Sequence, residues 1–226
     1  MKKSEIESEY SAQGTLSKPN PLLGKVFKLL ATEKRFGLKK LGKVVDLGCG
    51  KLRHLPVCAK YFKHIVLVET KKQITREQKF GGVTYTMADY VASLKSLGQK
   101  LKIQSIDDFE SQHHMADVAV SVAVMDVVLK TARVQMINAA FRNLRPGGYF
   151  VIIIPRNDSS ILTRCQEKNR YEDGYVFKNR GQFHLTFYTN YRDHNSMVHQ
   201  LTSKGFNLVE DFSVYRHVCL VLQRPF

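Results

Sequence analysis

The chain has 226 residues, 43% of them hydrophobic, which is enough to bury a sizeable core within one domain and too apolar for a disordered chain. Its 35 Lys+Arg against 20 Asp+Glu leave a net charge of +15, so nucleic acid enters as a partner class through phosphate contacts. Cys49, Cys58, Cys165 and Cys219 form no Cys-x-x-Cys pair, the N-terminus lacks a secretion-type apolar segment, and no window nears the roughly 18 apolar residues of a membrane span; the expectation is a soluble, cytoplasmic protein with no bound metal and no membrane partner.

Residues 1–19 mix Lys and Glu without an apolar face and read as a flexible N-terminal arm; residues 20–226 read as one domain. Asn20-Pro21 is a helix start, and Leu22, Leu23, Val26, Phe27, Leu29 and Leu30 recur at helical spacing up to a stop near Gly37. Strand and helix then alternate: a strand over Val44–Leu47, a helix over Leu52–Phe62 and a strand over Ile65–Val68; Gln73–Gly98 has no clear period, with room for one or two helices around Arg76–Leu97. Strands follow at Ile103–Ile106 and Val118–Val124, a helix at Arg133–Leu144, a turn at Pro146-Gly147-Gly148 and a strongly apolar strand at Tyr149–Ile154. Residues 157–183 are polar and aromatic without a period and read as a long excursion that covers the substrate. The tail carries a strand at His184–Tyr188, a helix at Asp193–Lys204 ending on Gly205, and a last strand at Val218–Leu222. Repeated strand–helix–strand units with fully apolar strands indicate an α/β doubly wound, mostly parallel sheet.

In such a sheet the ligand lies beyond the carboxyl ends of the strands. The first strand runs into VVDLGCGKLR, where Asp46-x-Gly48-x-Gly50 permits a tight turn and a close backbone approach. Glu69 ends the second strand about 20 residues on, where a carboxylate suits a ribose diol; the competing role is a cap or a pair with Lys71 or Lys72. Nicotinamide-binding and S-adenosylmethionine-binding sheets share this much. Asp46 two residues before the first glycine, and Arg53 where a G-x-G-x-x-G loop carries its third, favour S-adenosylmethionine.

With these motifs the sequence resembles the class I S-adenosylmethionine-dependent methyltransferase family from about Leu22 onward. VVDLGCG is similar to that family's first motif, VLVE with Glu69 to its second, IQSIDDF with Asp107 to its third, SVAVMDVV to its fourth and RNLRPGGYFVII to its fifth. GFNLVEDF followed by HVCLVLQR is similar to its antiparallel final strand pair. The resemblance implies a Rossmann-like seven-stranded sheet with an antiparallel last strand, and S-adenosylmethionine as cofactor. It also implies that Gly48 and Gly50 approach the amino-acid end of the cofactor, Asp46 orients the loop or the methionine ammonium, Glu69 binds the ribose and Asp107 receives the adenine amino group. Leu52 stands where the family's loop usually has a further glycine.

The implied reaction is methyl transfer by in-line displacement, in which alignment of donor and acceptor carries most of the catalysis. Candidate catalytic residues are Asp126 after the fourth strand, Asn157 and Asp158 after the fifth, and His184. The competing roles are a helix N-cap for Asp126 and turn chemistry for Asn157 and Asp158. No Asp/Asn-Pro-Pro-Tyr/Phe run and no Pro-Cys pair is present, so neither common DNA-base chemistry is indicated. A small-molecule, RNA or protein acceptor is left open, RNA through basic residues interleaved with aromatics between Arg164 and Tyr188. The alternative is a non-catalytic binding subunit that engages nucleic acid or a partner enzyme, supported by Leu52 and the charge.

Overall fold

The fold is described from a computed structural model covering residues 19–33, 36, 42–94, 100–155, 163, 165–179, 182–186, 192–214 and 217–226. Most of the N-terminal arm, the helix stop near Gly37, and Asn157 and Asp158 lie outside the described residues.

Asn20 accepts a hydrogen bond from Leu22 N at 2.9 Å and Pro21 occupies the first turn, so α1 (Pro21–Thr32) starts where the sequence signals it. It buries Leu22, Leu23, Val26, Phe27 and Leu30, and Phe27 meets Phe62 edge to face at 4.9 Å. The chain continues through β1 (Lys43–Leu47), α2 (Leu55–Tyr61), β2 (His64–Glu69), α3 (Lys71–Thr75), β3 (Gln78–Phe80), β4 (Val83–Tyr85), α4 (Met87–Ser93), β5 (Lys100–Ser105), α5 (Ile106–Glu110), β6 (Ala116–Val122), α6 (Lys130–Asn143) and β7 (Leu144–Pro155). Then come β8 (Arg170–Tyr171), β9 (Gly174–Asn179), β10 (Gln182–Thr186), α7 (Arg192–Ser203), β11 (Asn207–Val214) and β12 (His217–Gln223).

Seven strands form one sheet in the order β11-β12-β7-β6-β1-β2-β5. β5, β2, β1, β6 and β7 run parallel, and β12 is inserted antiparallel between β7 and β11. Val/Ile/Leu runs in β1, β2, β6, β7 and β12 are buried because helices cover both faces. One face packs Val45, Val66, Val68 and Phe150 against Phe109, Ile137, Ala140 and Leu201; the other packs Val44, Leu67, Val120 and Ile153 against α1, α2 and α4. Strand order reverses between β1 and β6, and in open α/β sheets ligands bind beyond the carboxyl ends of the strands at such a reversal.

Several boundaries differ from the sequence reading for physical reasons. Between β2 and β5 the helices are interrupted by a β3–β4 hairpin, whose Phe80 stacks on Tyr90 of α4 at 4.3 Å, and whose Gln78 is bonded through its side chain to Gln73. Pro146-Gly147-Gly148 is not a free turn: β7 passes through it, with Gly147 N donating to Arg224 O and Arg224 N to Gly148 O. His184 belongs not to the main sheet but to a separate three-stranded sheet β10-β9-β8, opposite Phe177. Among the described residues no helix is long and apolar enough to cross a membrane.

At the amino end of the sheet, Asp117 accepts from Gly42 N at 2.9 Å, Lys43 N at 2.8 Å and Arg145 Nε at 2.7 Å, pinning the starts of β1 and β7 to β6. Asp117→Ala leaves these donors without their carboxylate and is expected to lower stability by about 2–3 kcal/mol, read as a lower urea midpoint at unchanged slope.

Candidate active site

β1 ends in Leu47, and the backbone reverses through Gly48, with Gly48 N and Cys49 N both donating to Val68 O of β2 at 2.9 and 3.2 Å. Gly48 has φ +73°, and a Cβ there would come 2.6 Å from Val124 Cγ2, so only glycine fits between the turn and the segment after β6. Glu69, at the end of β2, accepts from Thr70 N at 2.6 Å and from the backbone of Gly50, which ties the β1 loop to the residue expected to hold the ribose. Burial raises its pKa.

Leu52 answers what the missing glycine does to the loop. It has φ +57°, the left-handed conformation that glycine adopts without cost, and its side chain is buried with Leu55, Cys58 and the apolar residues of α1. The backbone path of a glycine loop is therefore kept, at a strain of roughly 1–2 kcal/mol, and the apolar side chain anchors it from below.

Two carboxylates are buried at this edge with an oxygen that has no hydrogen-bond partner: Asp46 Oδ2 and Asp126 Oδ1. Asp46 is opposite Leu67 and Val120 in the sheet, with its pKa raised to about 7 by burial and by the charge of Glu69, against a smaller lowering by Arg53. Asp126 follows β6 in the segment 123–129, where burial raises its pKa to about 7 against a hydrogen bond from its own backbone. Ala123 opens that segment at φ +55°, its N donating to Ile153 O at 2.7 Å, so Asp126 is carried on a constrained turn rather than a helix cap.

Asp107 is placed differently. It stands in the first turn of α5, where its Oδ1 accepts from Gln135 of α6 at 3.2 Å, while Ser105 is the residue paired with Glu69 in the sheet. The described structure thus gathers Asp46, Gly48, Gly50 and Glu69 around the β1 turn, carries Asp126 on the segment whose Val124 packs on Gly48, and ties Asp107 to α6. His184 is on β10, and Asn157 and Asp158 are outside the described residues. Arg133 and Asp173 were not singled out from sequence, because nothing in it signals a pair 40 residues apart.

The donor set fits S-adenosylmethionine. The unpartnered Asp46 oxygen suits an ammonium, Glu69 a ribose diol, and Gly48 gives bare backbone at the closest approach.

The order β11-β12-β7-β6-β1-β2-β5, parallel but for the antiparallel β12, defines a Rossmann-like methyltransferase fold. A family described as methyltransferase domain matches residues 22–211, and the chain belongs to that family. The structure is similar to Burkholderia thailandensis 1,6-didemethyltoxoflavin-N1-methyltransferase with bound 1,6-didemethyltoxoflavin and S-adenosylhomocysteine, at TM-score 0.63 and 12% identity, over 99% of this chain and 87% of that one. It is also similar to a Clostridium acetobutylicum S-adenosylmethionine-dependent methyltransferase (TM-score 0.61, 10% identity, 92% and 93% covered). The uncharacterized protein YmfD of Escherichia coli strain K12 is 23% identical over 142 residues, a match spanning 63% of this chain and 63% of YmfD.

Leu52→Gly is expected to cost about 1–3 kcal/mol, because the buried leucine contributes more than the relieved strain, and to leave S-adenosylhomocysteine affinity within about threefold; urea unfolding and calorimetry check both. The pH dependence has a definite sign. Asp46 and Asp126 bind protons more tightly folded than unfolded, so both favour folding at low pH and lose that contribution as pH rises from about 4 to about 7. Asp126→Asn is expected to flatten this fall in stability, measured as Tm from pH 4 to pH 8.

Proposed function

We propose that this chain transfers a methyl group from S-adenosylmethionine to a nitrogen or oxygen atom of a small acceptor, with Asp126 as the general base. The observation that carries the reading is Asp126 itself: a buried carboxylate with an unpartnered oxygen, on the segment after β6 that packs on the β1 turn through Val124. A carboxylate in that state is retained where a ligand completes it.

When bound, S-adenosylmethionine supplies an electrophilic methyl group on a sulfonium whose leaving group is a neutral thioether. Asp46 holds the ammonium, the backbone of Gly48 and Gly50 lines the amino-acid end, and Glu69 accepts from the ribose hydroxyls. Asp126 takes the proton that an N–H or O–H acceptor loses; a pKa near 7 leaves a large ionised share at neutral pH while keeping the carboxylate basic enough to receive it. Apolar neighbours Val124, Met125 and Val128 exclude water from the acceptor side. The didemethyltoxoflavin enzyme is by its name an N1-methyltransferase, and its likeness in fold makes nitrogen acceptors the first to try. The +15 net charge favours RNA as the second acceptor class.

The test begins with calorimetry of S-adenosylmethionine and S-adenosylhomocysteine on the purified chain, followed by methyl-labelled transfer to a panel of N-heterocycles, phenols, amines and RNA. Binding of neither nucleoside ends the enzyme reading and returns the non-catalytic one. With an acceptor in hand, Asp126→Asn is expected to lower kcat/KM by about 10²–10⁴ with S-adenosylhomocysteine affinity within about threefold. Asp46→Asn is expected to weaken both nucleosides and to abolish the rise in their affinity as pH passes about 7, since the bound ammonium favours ionised Asp46.

A further inference from the structure

The excursion after β7 places a hairpin, β8 and β9, against the end of the segment that carries Asp126. Its turn is Glu172-Asp173. Asp173 is ion-paired with Arg133 of α6, whose guanidinium also donates to Val128 O at 2.8 Å. Glu172 Oε2 accepts from Lys130 N at 3.4 Å, at the first residue of a 14-residue helix whose N-cap, Leu129, offers no side-chain cap. An acid there is favoured by the orphan N–H groups and by the helix dipole. Glu172 holds φ +50°, a conformation in which Gly or Asn would be less strained, so a carboxylate is kept at this turn against the local backbone preference.

Arg133 is 1% exposed although its partner Asp173 is 44% exposed. A guanidinium buried this far needs a facing charge and hydrogen-bond acceptors; Asp173 at the hairpin tip supplies the charge to one terminal nitrogen and Val128 O accepts from the other. The hairpin is not held by charge alone: Val176 is buried in the same apolar cluster as Met125, with Tyr171 packed against it. One side chain therefore touches both the backbone of the Asp126 segment, at Val128 O, and the tip of the β8–β9 hairpin, at Asp173.

We propose that Arg133 is a positioning residue for methyl transfer: through Val128 O and Asp173 it locks the Asp126 segment and the β8–β9 hairpin into one closed unit, so that docking of the hairpin sets the water-free surroundings in which Asp126 works. This rests on the reading of Asp126 as the base.

Because Arg133 is buried, the primary variant is its exposed partner, Asp173→Asn, with Arg133→Lys as the conservative control. Hydrogen exchange on the full chain is expected to accelerate at least about tenfold in Asp173→Asn over both 170–179 and 123–129, with 218–222 unchanged as the internal reference. The ¹³Cγ titration midpoint of Asp126 is expected to fall by at least about one unit in the same variant as water reaches the carboxyl, and to lie between the two in Arg133→Lys. An unchanged Asp126 midpoint overturns the proposal whatever exchange does, and so does faster exchange confined to 170–179. Calorimetry of S-adenosylhomocysteine on the unaltered chain separates this failure from that of the parent reading: no binding there removes the catalytic role of Asp126, whereas binding with an unmoved midpoint removes only the coupling.

Discussion

The carbonyl of Val68 accepts hydrogen bonds from both Gly48 N and Cys49 N, and the site is arranged around the turn they form. That double acceptance brings the exit of β1 against the end of β2, which sets Gly50 within reach of Glu69. It also presses Gly48 against Val124, so the segment after β6 is packed on the same turn. A side chain at Gly48 would separate these three strand ends. Leu52 then shows that the turn is a property of the tertiary arrangement as well as of composition: a leucine is held in a left-handed conformation because its side chain fills the space beneath the loop.

Charge burial at the two ends of the sheet follows opposite rules. At the amino ends, Asp117 is satisfied by two backbone N–H groups and Arg145, and it serves to hold strands together. At the carboxyl ends, Asp46 and Asp126 are buried with an oxygen left over, which costs stability at neutral pH and leaves capacity for a ligand. The same contrast separates Asp107 from Asp46: the former is engaged by Gln135 on a helix flank, the latter keeps Oδ2 buried without a hydrogen-bond partner.

Legibility followed the range of the interactions. The β1 and β2 motifs, the apolar run of β7 and the cap at Asn20-Pro21 are local patterns, and the structure holds each of them close to where the residues signal it. The β3–β4 hairpin lies in the stretch that has no clear period in the sequence, because its strands have only three residues each; its place is set by the stacking of Phe80 on Tyr90 and by the Gln73–Gln78 pair. The excursion, read as aperiodic cover, contains the short strands β8 and β9, stabilised by pairing with each other and by Arg133 rather than by any period of their own.

From sequence alone came the alternation of elements, the doubly wound sheet, the glycine turn after β1 and the carboxylates at the strand ends, because burial on two sheet faces and tight turns impose residue types at short and regular spacing. Tertiary structure supplied the positive φ of Leu52, the engagement of Asp107 by α6, the unpartnered oxygens of Asp46 and Asp126, and the contact of the hairpin with Arg133. These depend on groups distant in the chain and on how much water their packing admits, quantities that no local pattern of residues encodes.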